Sequence, residues 1–126
     1  MDIQRIRREV SRAAAQFAYV EAHPTSDGGV IVKTALQTTA GNKYIAEIRF
    51  LGYPNQMPRV LITRPVLGAN VPHQYNTGNI CYLHSSMWNP GRHDLVFVIG
   101  RIAKWLNKYE VWRSNGGHWP GKEIKH

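Results

Sequence analysis

Cysteine, acidic residues and long apolar runs are what this chain has least of, and each shortage removes a class of protein. A single cysteine, Cys81, in 126 residues cannot close an intramolecular disulfide. Cys81 and His84, three residues on, also fall well short of the four ligands of a structural zinc site, so no metal is expected. No apolar stretch approaches the roughly 20 residues that a membrane-spanning helix needs. Arg5, Arg7, Arg8 and Arg12 fall where the apolar core of a signal peptide would lie. The expectation is a soluble protein in a reducing, cytoplasmic setting. Eight Asp and Glu stand against sixteen Lys and Arg, a net charge of +8 that suits an acidic protein surface as well as nucleic acid. No helix-turn-helix or aromatic-basic sheet motif accompanies the charge, which makes nucleic acid the least favoured partner. There are no repeats and no low-complexity linker. The length and the 43% hydrophobic content fit one domain over residues 1–126.

The apolar positions Ile3, Ile6, Val10, Ala13, Ala14 and Phe17 follow the three-and-four spacing of an amphipathic helix, with Asp2 as its N-cap. Its outer face is rich in arginine. Residues 23–29, from His23-Pro24 to Gly28-Gly29, form a dense cluster of turn formers. Val30 to Leu36 then reads as a strand, and a second strand after Gly41-Asn42 places Tyr44, Ala46, Ile48 and Phe50 on one face. Such alternation suits an antiparallel sheet with one covered face. Pro54 and Pro58 interrupt the sheet, and Arg59 to Arg64 make a third strand. From Pro65 to Pro90 no period persists, and a loop of that length inside a small domain is usually functional. Leu95, Val98, Ile99, Ile102, Ala103, Trp105, Leu106 and Tyr109 mark a second helix capped by Asp94. The tail from Arg113 to Gly121, with Gly116-Gly117 and Trp119-Pro120, reads as non-helical. The order of elements defines an α+β domain.

Cys81 closes a segment rich in Asn, Gly and His, with His73 eight residues before it and His84 three after. A lone cysteine is most often a small core hydrophobe. A nucleophilic one needs help to reach the thiolate, and backbone N–H groups of an irregular loop or a nearby imidazole supply it.

Around Cys81 stand short motifs in a fixed order: Tyr53-Pro54 with Met57-Pro58, the strand from Arg59, His73 eight residues before the cysteine, Gly78-Asn79-Ile80-Cys81-Tyr82-Leu83, and Trp88-Asn89-Pro90 before the helix from Asp94. This order resembles that of the ubiquitin-conjugating enzymes, and in particular small divergent bacterial members found in antiphage, CBASS-type, defence operons, with His73 at the head of the family's His-Pro-Asn tripeptide. The resemblance runs from about Ile3 to Leu106. It implies the ubiquitin-conjugating-enzyme fold: an N-terminal helix, an antiparallel meander, a cysteine-bearing loop and a central helix. A truncated C-terminus is expected, because the sequence after Tyr109 offers no counterpart of the family's third and fourth helices, and Trp112 and Trp119 are expected to fold back over apolar surface.

The resemblance also implies an acyl carrier. Cys81 would form a thioester with the C-terminus of a protein, either a ubiquitin-like protein or a cyclic-oligonucleotide synthase, and pass it to an amine acceptor without a cofactor. An activating enzyme or another acyl donor would load it. Where the tripeptide has asparagine this chain has Tyr75, so Tyr75, Asn76 or Asn79 would stabilise the oxyanion. His73 would chiefly brace the loop, and His84 would take a proton from the amine or hold the thiolate, unless it is an ordinary loop histidine. The loop would present the thiol at the surface. Arg5, Arg8 and Arg12 would meet the activating enzyme. Two other functions compete: a non-catalytic binding module of the same fold, and a cysteine hydrolase using Cys81 with His73 or His84.

Overall fold

The computed structural model describes residues 2–68 and 70–121. Helix α1 (Ile3–Gln16) is followed by strands β1 (Val20–Pro24), β2 (Val30–Gln37), β3 (Lys43–Arg49) and β4 (Arg59–Arg64), then by helix α2 (Leu95–Ser114). The four strands form one antiparallel sheet in chain order.

Local chemistry starts both helices. Asp2 accepts a hydrogen bond from the Arg5 amide (3.0 Å), and Asp94 accepts one from Phe97 (2.8 Å), each satisfying an N–H that the helix itself leaves unpaired. Alternation builds the sheet. Tyr44, Ala46 and Ile48 of β3 are buried beside Val32 and Thr34 of β2 and Val60 of β4. Val98, Ile99, Ile102 and Leu106 of α2 complete that core, with Ile6 and Ala13 of α1.

Two expectations change. His23-Pro24 ends a strand instead of opening a turn, because β1 pairs with β2 from Val20↔Thr34 to Pro24↔Val30. β1 is an edge strand, where a terminal proline costs no ladder hydrogen bond. Helix α2 also runs beyond Tyr109 through Ser114, with Trp112 packed on the Tyr109 ring (5.9 Å) and the Arg113 guanidinium over it (5.7 Å). Gly116, with φ of 84°, then carries the chain out of the helix in a conformation that side chains rarely adopt.

A buried carboxylate joins the elements that frame the cysteine segment. Glu9 of α1, 5% exposed, accepts hydrogen bonds from the Tyr53 hydroxyl, the Leu95 amide (2.8 Å) and Arg5 (2.5 Å). The Trp88 indole donates to the Pro54 carbonyl (2.7 Å), and the Tyr82 hydroxyl donates to that of Pro58 (2.5 Å). The Tyr-Pro turn, the Trp-x-Pro segment and the residue after Cys81 are thereby tied together before α2 begins.

Candidate active site around Cys81

The segment from His73 to Cys81 is a small hairpin laid against β4. The Cys81 amide donates to the His73 carbonyl (2.8 Å), Gln74 and Ile80 form a bridge, and the Tyr75 amide donates to Asn79 (2.9 Å). Gly78 turns the hairpin with φ of 92°, where an L side chain would be strained. The Ile80 amide donates to the Val60 carbonyl (2.8 Å), which anchors the hairpin to the sheet. The spacing between His73 and Cys81 is thus a pairing distance: the two residues face each other across the hairpin.

The thiol is buried. Cys81 is 3% exposed, so the hairpin does not present it at the surface as the sequence led us to expect. Its cover comes from far along the chain. Trp119 packs on His73 (4.8 Å between ring centroids) and on Trp105 of α2 (5.4 Å). These three residues, with Tyr82, Arg101, Lys104 and Lys108, line a narrow cavity of about 20 Å³ that holds Cys81. Asn115 holds the strap that carries Trp119, accepting from the His118 amide (2.9 Å) and donating to its carbonyl (3.0 Å).

The Tyr75 phenol is pushed up to about 12 by its hydrogen-bonding interaction with Cys81 and then by partial burial, so it stays protonated throughout the physiological range. At 37% exposure Tyr75 spans from solvent to the sulfur. Burial pushes the Cys81 thiol up, while the Tyr75 hydrogen bond, the Leu83 backbone and the Arg101 charge pull the other way. Arg101 is fixed by donating from Nε to the Tyr82 carbonyl (2.8 Å).

The other predicted residues separate. Asn76 is exposed on the turn, along a shallow groove shared with Asn79, Met57 and Trp88. His84 caps the short 3₁₀ turn Ser85–Met87, its Nδ1 accepting from the Ser86 amide (3.2 Å), and is not among the residues that line the thiol's cavity. His73 lines that cavity and supports the loop through its carbonyl, which also accepts from the Trp105 indole (3.3 Å). Of the three arginines, Arg5 is spent on Glu9, the His93 carbonyl (2.9 Å) and the Tyr53 ring, and Arg12 pairs with Asp94 (3.2 Å). Arg8 is exposed. Among the described residues no cluster of His, Cys, Asp and Glu could hold a metal ion, and no helix is long and apolar enough to cross a membrane.

Sequence reasoning passed over the lysines that line the cavity. Arg101, Lys104 and Lys108 recur at three- and four-residue spacing on one face of α2, which was the available signal.

A helix, a four-stranded meander, a hairpin ending in cysteine and a helix packed across the sheet define a ubiquitin-conjugating-enzyme-like fold. In a solved complex of the Vps23 UEV with ubiquitin, a chain aligns with this one at a TM-score of 0.60 and 16% identity, over 82% of this chain and 81% of its own length. The family model for the Type II CBASS E2 protein matches residues 9–126, and the chain belongs to that family of bacterial antiviral-defence proteins. No curated protein matches.

Proposed function

We propose that this chain is an acyl carrier of the ubiquitin-conjugating type, with Cys81 as its nucleophile. The observation that carries the reading is the hairpin that pairs the Cys81 amide with the His73 carbonyl and fixes Tyr75, the residue whose phenol couples to the thiol. The Cys81 thiol gives up its proton to solvent or to a base, and the thiolate attacks the activated C-terminal carbonyl of a protein. The S–C bond forms, the activating group leaves, and a thioester results. An amine then attacks that carbonyl; the C–N bond forms, the C–S bond breaks, and the thiolate departs and takes up, directly or through solvent, the proton that the amine loses. Tyr75 stands where an O–H donor can stabilise the oxyanion of either step. His73 holds the loop, and Asn76 and Asn79 lie on the turn beside the approach. The carried protein is a ubiquitin-like protein or a cyclic-oligonucleotide synthase, the acceptor is a protein amine, and the setting is cytoplasmic. An activating enzyme or another acyl donor loads the thiol, and of the three candidates Arg5, Arg8 and Arg12 it is Arg8 that is left to meet it.

Intact-mass analysis after expression with the genomic neighbours tests this. The expected result is a thiol-labile adduct on the native chain that is absent in Cys81→Ala and becomes reductant-resistant in Cys81→Ser. Two observations favour a second reading, a non-catalytic module that holds a ubiquitin-like protein: the thiol is buried, and the Vps23 UEV is in complex with ubiquitin. Stable binding of a neighbour with no adduct on an intact fold would establish that module instead.

A further inference from the structure

Among the described residues, every charged side chain that lines the Cys81 cavity is a cation: Arg101, Lys104 and Lys108, all on one face of α2. No described carboxylate lines it, and the ion pairs among the described residues lie elsewhere, on Glu9, Asp94, Glu21 and Glu47. Among the described residues nothing of opposite charge offsets their field. Burial, and then the charges of Lys104 and Arg101, hold the Lys108 amine below its ordinary range. Like charges gathered at a concave site destabilise the empty site and raise the local concentration of anions. The sulfur at the bottom of the cavity is polar but, at neutral pH, uncharged, because its pKa is raised. It therefore does not balance the cations.

We propose that the cation-lined rim around Cys81 is a recognition subsite for an acidic peptide, the stretch of the carried protein that bears carboxylate side chains just before its reacting C-terminus. This rests on the carrier reading above and names the chemistry of its donor. The cavity has room for about one water molecule, so the acidic side chains lie along the rim. Lys104 is exposed there and Lys108 is half-buried beside the end of the tail, where a Cβ on Gly121 would meet its Nζ at 3.2 Å. The reacting carbonyl enters as Trp119 withdraws. Arg101, held by the Tyr82 carbonyl, supplies a fixed charge next to the sulfur.

Two synthetic peptides test this, one ending Glu-Asp-Ala and one ending Gln-Asn-Ala, both amidated at the C-terminus so that only side chains differ in charge. The readout is protection of Cys81 from iodoacetamide in the full chain, followed by intact mass. The acidic peptide is expected to protect at about 5-fold lower concentration, the sum of a few partly screened ion pairs. The advantage should disappear in the Lys104→Gln/Lys108→Gln double variant, and also in about 1 M salt, where the Debye length is about 3 Å. Both lysines are at or near the surface, so the variant keeps its core. Equal protection by the two peptides, protection by neither, or an advantage that survives in the double variant would overturn the inference. The carrier reading fails separately. If the acidic preference holds but no thioester forms, the subsite belongs to a binding module; if a thioester forms without the preference, the subsite alone is wrong.

Discussion

Replacing Trp119 by alanine should turn a protected thiol into a reactive one. Cys81 is 3% exposed under a cover whose only ring contacts are to His73 and Trp105 among the described residues. Aromatic pairs of this kind contribute about 0.5–1.5 kcal/mol each beyond area burial, so the two together hold the strap with about 1–3 kcal/mol. Alkylation through a transiently open state should then accelerate by about 5- to 150-fold, at 1.4 kcal/mol per factor of ten. A second effect adds to it. Burial is the largest cause of the raised thiol pKa, so the uncovered thiol should titrate closer to its ordinary range and carry more thiolate at a given pH. The assay is iodoacetamide labelling under pseudo-first-order conditions from pH 6 to 10, quantified by intact mass, with circular dichroism to confirm the fold. Trp112→Ala is the control, since Trp112 packs on Tyr109 and is not among the cavity's lining residues. A Trp119→Ala rate within a factor of two of the native rate, on an intact fold, would refute the claim that this indole gates the thiol. So would an equal acceleration in Trp112→Ala.

Tyr75→Phe removes the hydrogen bond that draws the Cys81 pKa downward, so the pH-rate profile of alkylation should move to higher pH. In the proposed carrier, aminolysis of the thioester should also slow by about 10²–10³-fold, as when one oxyanion donor is lost; a profile shift without slower transfer would confine Tyr75 to tuning the thiol. Glu9→Ala leaves the Tyr53 hydroxyl, the Leu95 amide and Arg5 without their shared acceptor, and breaking such a buried charged pair should cost about 3–5 kcal/mol in urea denaturation. Gly78→Ala forces an L side chain to φ of 92° and should cost about 1–2 kcal/mol, visible as a lower midpoint and as weaker hydrogen-exchange protection at the Cys81 amide.

What the sequence disclosed depended on whether the cause was local. Asp2 and Asp94 cap the helices they were expected to cap, because an N-cap needs only its own first turn. Tyr44, Ala46 and Ile48 share the covered face because strand alternation is a property of successive residues. Strand β1 was missed because its last two residues, His23-Pro24, read as turn, the remaining three show no strand pattern of their own, and only the pairing with β2 makes it a strand. Glu9 left a faint signal, an acid on the inner stripe between Ile6 and Ala13, where all three prove buried. The motifs located the hairpin and Cys81, but not the depth of the thiol. Trp119, which lies beyond the end of α2, helps to line the cavity that holds the thiol, a long-range contact that no local motif discloses.

Burial of Cys81 does not by itself argue against a nucleophile, because the groups that would assist the sulfur are held independently of what covers it. Tyr75 is fixed by its amide bond to Asn79, Arg101 by the Tyr82 carbonyl and Cys81 by the His73 carbonyl; none of these bonds involves the strap from Asn115 to Gly121. Withdrawal of Trp119 would therefore expose a site already assembled. The same movement would lift the desolvation that keeps the thiol protonated, so access and activation would arrive together. A thiol that becomes both reachable and more acidic only when its cover moves is shielded from alkylation and oxidation at rest. If the cation-lined rim draws an acidic C-terminal segment to the point where Trp119 sits, part of its binding free energy can be spent on displacing the indole, and the bound segment then covers the thiol in its place. The cover would then favour donors able to offset about 1–3 kcal/mol of ring contacts over those that cannot.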